Sequence, residues 1–239
     1  RHYFMSLNYL DNDGMVVGDK DTYTRLSTQI NADYKIKDWL TVGTNNSIEK
    51  WETKSVSHMS ETNSVFMAAI QNDPLTPLTF NSVSDMTSGM QTAYNTPELI
   101  SGYEAYAGKG SQLIERANGI DGIEDGAILA ASKLVDNDHG SPLIQLNRLN
   151  STNGGTTVRG TSYVNINPLR GLTFTSRLGY RISSSSSHNY TTPYYVSSMA
   201  KSDNYSISAS ANTGLFYQWE NFANYDRSFG KSSINVMAG

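Results

Sequence analysis

The sequence predicts an all-β fold of about seven long antiparallel strands in up-and-down order, with one large, mixed and partly helical loop inserted among them. Three observations carry this. Apolar and polar residues alternate with period 2 over runs of up to 14 positions, as they do when successive side chains point to opposite faces of a strand. The connections between these runs alternate between tight and long. The polarity is mostly uncharged: charged residues make up 17% of the 239, against roughly 25% in ordinary soluble domains, while Ser, Thr and Asn number 31, 21 and 22.

The first strand is marked by Tyr3, Met5, Leu7 and Tyr9 on one parity. The second is the clearest, over 23–36: Thr24, Leu26, Thr28, Ile30, Ala32, Tyr34 and Ile36 fall on one face, and Arg25, Ser27, Gln29, Asn31, Asp33 and Lys35 on the other. Strands of soluble domains usually run about 5 to 6 residues, so this length is unusual. Leu40, Val42, Thr44 and Ile48 mark a third strand, and Val164 with Ile166 a fourth. A fifth alternates Leu172, Phe174, Leu178, Tyr180 and Ile182 with Thr173, Thr175, Arg177 and Arg181. A sixth runs from Tyr205 to Trp219, with only Phe216 breaking its polar face, and Ile234, Val236 and Ala238 mark the seventh.

Tight turns are expected at 37–38, 168–171 and 226–231, and long connections at 11–22, 55–157 and 187–203. This order puts every short turn on one edge of the sheet. The chain divides accordingly into strands over 1–54, a loop domain over 55–157 and strands over 158–239.

Two environments produce such strands. A bilayer-spanning strand needs about 9 to 11 tilted residues, apolar outside and polar toward a lumen, with aromatic girdles at the interfaces. Tyr34 and Trp39 flank the first tight turn, and Phe222, Tyr225 and Phe229 the third. The alternative is a secreted soluble β-sandwich that binds glycans, with the same aromatics filling its core. On either reading Arg25, Asp33, Glu49, Arg177 and Arg181 belong to the polar face; in a barrel they face the lumen, where the arginines could pair with Asp33 or Glu49. At mid-bilayer on the lipid face each arginine would cost about 2 to 4 kcal/mol.

The 55–157 loop is too long to lack structure of its own. A helix is expected over 61–71, with Val65, Phe66, Ala69 and Ile70 on its apolar face, a second over 127–135 and a third over 143–149. Tyr94, Tyr103 and Tyr106 in this loop, and Tyr194 and Tyr195 beside Pro193, are candidate faces for sugars or peptides, with packing inside the loop or anchoring at the interface as the competing uses.

Catalytic and metal motifs fail on spacing. The run 102–109 (GYEAYAGK) resembles a phosphate loop but has five residues between its glycines where four are needed. Asp11, Asp13, Asp19 and Asp21 lack the bidentate Glu that a calcium loop places at its twelfth position, where Thr22 stands, and read as a solvated hairpin tip. Asp121, Glu124, Asp125, Asp136 and Asp138 match no dedicated loop, and His2, His58, His139 and His188 show no zinc spacing. The expectation is a protein without enzymatic activity, cofactor or metal. A net charge of -4 without a basic run argues against a nucleic-acid partner. No stretch approaches 18 apolar residues, so no transmembrane helix is expected. The chain opens at Arg1 without an initiator Met or a signal-peptide pattern, and reads as an interior piece of something longer.

Four segments carry a family resemblance: 3–14 (YFMSLNYLDNDG), 25–47 (RLSTQINADYKIKDWLTVGTNNS), 168–180 (PLRGLTFTSRLGY) and 219–239 (WENFANYDRSFGKSSINVMAG). Together they resemble the barrel portion of SusC/RagA-type TonB-linked outer-membrane transporters. The resemblance implies that these strands are about seven of a 22-stranded transmembrane β-barrel in the outer membrane of a Gram-negative, Bacteroidetes-type bacterium, with tight turns periplasmic and long loops extracellular. It also implies oligosaccharide or peptide uptake, a SusD-like surface lipoprotein as lid, and energy from TonB through parts of the chain not present here. The amino-terminal extension, the TonB box and the plug are absent from these residues, and the family pattern contains no catalytic residue.

Overall fold

A computed structural model describes residues 1–56, 64–96, 110–134, 141–148, 150–202 and 204–239. The strands are β1 (His2–Asp13), β2 (Thr22–Lys37), β3 (Leu40–Lys54), β4 (Thr79–Phe80), β5 (Ile128–Leu129), β6 (Ser151–Leu169), β7 (Leu172–Thr191), β8 (Tyr194–Tyr195), β9 (Lys201–Ser202), β10 (Ser206–Phe229) and β11 (Ser232–Ala238). Three short helices accompany them: α1 (Val65–Gln71), α2 (Ser88–Asn95) and α3 (Pro142–Arg148). Seven strands form one sheet in the order β1-β2-β3-β6-β7-β10-β11, antiparallel throughout. The tight turns fall at residues 38–39, 170–171 and 230–231, and the long connections all leave the opposite edge. Gly171 and Gly230 take positive φ at two of the tight turns, a conformation that side chains with a Cβ disfavour.

Register ties the strand patterns into two continuous faces. Met5 pairs with Ile30, Tyr34 with Val42, Val42 with Val164, Ile166 with Phe174, Leu178 with Trp219 and Tyr225 with Val236. Directly paired residues share a face, and a slip of one residue at any ladder would turn one strand's apolar set over. No ladder slips. The apolar side chains of this face cluster beside the short turns, within Leu40 to Ile48, Val158 to Ile166, Leu172 to Ile182 and Leu215 to Tyr225. Toward the long loops the same face carries Lys50, Glu52, Thr156, Ser184, Ser186 and His188. Its apolar residues are uncovered: Leu7, Leu215, Tyr217 and Trp219 each keep about 70% of their surface exposed. A sandwich needs a second sheet over such a face, but among the described residues the other sheets are the two-stranded pairs β4-β5 and β8-β9.

Polar groups inside the apolar band are bonded to one another. Tyr180 donates to Asn46 Oδ1 (2.5 Å), Asn46 donates to Thr44 Oγ1 (2.9 Å), Thr44 shares a hydrogen bond with Ser162 (3.1 Å), and Trp219 Nε1 donates to Ser176 (3.0 Å). Tyr180 lies across Gly160, where a Cβ would come within 2.7 Å of its ring, so the missing side chain on β6 admits the contact from β7 to β3.

The tight turns are also staggered. Leu40, Ile166, Phe174, Ala223 and Ala238 form one row of paired residues across β3, β6, β7, β10 and β11. Measured from this row, each tight turn lies about three residues further down than the one two strands before it. With about 3.3 Å per residue and about 4.8 Å between strands, the line of turns is inclined by about 45° to the rows. If the turns lie in one plane, the strands tilt by that angle, close to the range for closed barrels. The sheet itself is open, with β1 and β11 as its edges.

The long loops build a cap. Its core contains Phe80, Met86, Met90, Ile114, Leu129 and Ile144 from the large insertion together with Val196 and Ala200 from the β8-β9 hairpin. Val16, from the first long loop, packs on a second small cluster of Val56, Val65 and Leu146. The insertion therefore packs with a segment far along the chain, and it ends at 150 rather than 157, because β6 begins at Ser151.

Two of the three expected helices form: the first is shorter, over 65–71, and the third runs over 142–148, with 149 outside the described residues. Ser64 caps α1 by accepting a hydrogen bond from Met67 N (3.3 Å), and 61–63 lie outside the described residues. Its buried residues are Val65 and Ala68, and Phe66 and Ile70, assigned to the apolar face, are exposed. The stretch 127–134 is not helical. Ile128 and Leu129 pair with Phe80 and Thr79 in β5, since the extended pairing buries both of their side chains, while 135 lies outside the described residues. In its place a helix forms at α2, capped by Thr87 (Met90 N to Oγ1, 3.2 Å).

Candidate functional site

The polar face of the sheet collects the charged candidates read from the sequence. Arg25, Asp33, Glu49, Arg177 and Arg181 all lie on it, because register places them on the parity opposite the apolar band. The pairing among them differs from expectation. Asp33 accepts a hydrogen bond from Tyr163, whose ring crosses Gly43, and Arg177 pairs across the ladder with Glu220 at 3.7 Å. Among the described residues neither Arg25 nor Arg181 forms an ion pair with Asp33 or Glu49, and Arg25 sits opposite Trp51 instead. Row height separates Arg25 from Asp33, four same-face rows apart on one strand, and Arg181 is opposite Arg159 on one side and Phe216 on the other; Glu49 is one row from Arg25 and still does not pair with it.

One row of this face reads Gln29, Ser47, Arg159, Arg181 and Phe216 across β2, β3, β6, β7 and β10. These residues, with Asn45 and Gln218, line an open depression. Arg159 and Phe216 were not among the candidates read from sequence. The signal for Arg159 was weak, because Gly154, Gly155 and Gly160 blank out the alternation around it. Phe216 was visible as the break in a polar face, and the structure supplies its partner, Arg181.

The tyrosine candidates of the cap lie elsewhere. Tyr94, Tyr194 and Tyr195 are half-buried against the cap core. The Arg148 guanidinium stacks on the Tyr194 ring at 3.1 Å from its centre, and Tyr195 lines a cleft with Ser88, Gly89 and Ser197. Tyr103 and Tyr106 lie outside the described residues.

Glu115 accepts a hydrogen bond from Asn147 Nδ2 (2.6 Å), within electrostatic reach of Arg148. Burial raises the Glu115 pKa, outweighing the Asn147 bond and the Arg148 charge, and burial lowers that of Arg148. The acidic residues of the loops have local tasks: Asp19 pairs with Lys54 at 2.8 Å, and Asp125 accepts from Gly119 N at 2.9 Å. Asp136 and Asp138 lie outside the described residues. Among the described residues no three His, Asp or Glu side chains are grouped to hold a metal. No helix is long and apolar enough to cross a membrane, which says nothing of crossing by strands.

No family model matches the chain, and no curated protein matches it. Solved structures do. The RagAB peptide importer in its closed-closed state aligns over 98% of this chain with a TM-score of 0.60 and 15% identity. The RagAB peptide transporter and the open-open state of the importer align over the same 98% with TM-scores of 0.61 and the same identity. These alignments cover 22%, 22% and 21% of the matched chains, so this chain spans about a fifth of their length. At that identity the likeness is one of fold.

Proposed function

We propose that this chain is a wall-and-cap section of a SusC/RagA-type TonB-dependent importer in the outer membrane. In this reading the apolar face meets lipid, the polar face lines the lumen, and the cap stands outside the cell, where it contacts ligand or a SusD-like lipoprotein lid. The domains are strands over 1–54 and from Ser151 to 239 flanking the loop domain, and the remaining strands of a 22-stranded barrel and the TonB contacts come from other parts of the protein. The section performs no chemistry and uses no cofactor. The transported ligand is a peptide or an oligosaccharide, and the RagAB neighbours, as peptide importers, favour the peptide.

The observation that carries this reading is the continuous, uncovered apolar band across seven strands, whose internal polar groups bond to one another. Such mutual satisfaction is what a wall facing hydrocarbon requires, since lipid offers no hydrogen bonds. Lysine placed in the complete protein tests it. Ile30→Lys or Leu178→Lys should each cost about 2 to 4 kcal/mol and reduce heat-modifiable barrel in outer-membrane fractions, while Ser27→Lys on the other face should assemble normally. Equal tolerance at the three positions would sink the proposal.

A further inference from the structure

Where the polar face places opposite charges across a ladder, it neutralises them: Arg177 stands directly opposite Glu220 and pairs with it at 3.7 Å. Two rows away the rule is broken. Arg159 and Arg181 are directly opposite each other on β6 and β7, both exposed, and among the described residues neither forms an ion pair or a side-chain hydrogen bond. Like charges directly opposed on one face of a ladder are unfavourable. The nearest carboxylate by register is Glu49, one row up on β3 opposite Thr157, and it pairs with neither.

What surrounds the two arginines suits a ligand that brings its own negative charge. Ser47 offers a hydroxyl at the same depression, whereas the Gln218 amide donates to Glu220 (2.7 Å), and Phe216, opposite Arg181, is the one large apolar side chain between Ser206 and Gln218 on that face. Each guanidinium carries a planar fork of N–H donors that can grip a carboxylate in bidentate fashion, and register sets two such forks opposite each other. An uncharged sugar would leave both charges unmet.

We propose that Arg159 and Arg181 form a carboxylate subsite on this face, with Phe216 packing against the apolar part of the group that carries the carboxylate. The proposal rests on the polar face being the lumen of an importer. Within that reading it narrows the ligand to one bearing a carboxylate, as a peptide does at its C-terminus or at an acidic side chain. The same chemistry has a second source, a carboxylate of the protein's own remaining chain reaching into the lumen.

The test uses the complete protein, purified in detergent, and a matched pair of labelled peptides, Ala-Ala-Phe-Asp with a free C-terminus and Ala-Ala-Phe-Asn-amide. The wild type should bind the acid about tenfold or more tighter than the amide, and R159Q/R181Q should bring the ratio of the two affinities close to one. If the carboxylate is the protein's own, R159Q/R181Q will leave peptide preference untouched and lower the temperature at which the complete barrel unfolds on gels. A double variant that alters neither quantity overturns the proposal. Absence of the wild-type protein from outer-membrane fractions would instead refute the importer reading, and the peptide preference would still decide whether the arginines bind carboxylate.

Discussion

Leu129, Ile144 and Met90 in the cap have no measurable exposed surface, whereas Leu7, Leu215 and Trp219 in the sheet keep about 70% of theirs. Side chains of the same chemistry thus have opposite fates in one chain. The cap buries a core of its own, while Ile70, Leu75, Leu78 and Leu134 stay exposed at its surface. The sheet turns most of them to one side, with Phe4, Phe216 and Met237 on the other, and among the described residues leaves the apolar side uncovered. The cap is held by burial, at about 25 cal/mol per Å² of apolar surface. The sheet is held by its ladders and by whatever medium makes an uncovered apolar band favourable. The alternation that writes the sheet says which face is apolar; the structure adds that no layer among the described residues covers it.

The sharpest way to break this contrast is to isolate the chain. An open sheet leaves the outer N–H and C=O groups of β1 and β11 without partners, so residues 1–239 alone in detergent should give no monomeric, heat-modifiable species on gels. A folded monomer with cooperative unfolding would refute the dependence.

A smaller effect separates the regions within the complete protein. Leu129→Ala should destabilise the cap by about 2 to 5 kcal/mol, seen as faster proteolysis of the loops, because a cavity opens where no neighbour can collapse. Leu215→Ala, on the exposed band, should cost under about 1 kcal/mol by the same measure, since the surrounding medium fills the space. Similar losses at both positions would mean that the band is covered by protein.

The smallest effect is a pH dependence confined to the cap. Because burial raises the Glu115 pKa above its unfolded value, its contribution to stability is complete below the ordinary carboxylate range and is lost as pH rises through the folded pKa. Hydrogen exchange of cap amides should therefore quicken over that rise, and Glu115→Gln should flatten the dependence. An unchanged profile in the variant would remove Glu115 as its source.

Much of the sheet was legible in the sequence because period 2 is a local signal. β2, β7 and β10 declare their faces residue by residue, and the tight turns fall where 37–38, 168–171 and 226–231 suggested. β6 was half hidden, because three glycines carry no face and its first seven residues read as loop. The cap was legible only as a need for structure. Ile128 and Leu129 suit a helix or a strand equally, and Phe80, distant in sequence, decides for the strand. Nothing near Val196 or Ala200 announces that they complete a core built some fifty residues or more earlier. The site followed the same division: the polar parity of Arg177 and Arg181 could be read, but their actual neighbours, Glu220 and Arg159, required the register.

The stagger of the tight turns fixes how economically such a wall encloses space. A strand standing upright covers about 4.8 Å of perimeter, but inclined by about 45° it covers about 6.8 Å. Any ring closed at this inclination from a given number of strands has a cross-section about twice that of an upright one, so a modest number of chain crossings can surround an opening wide enough for a folded plug or a bulky cargo.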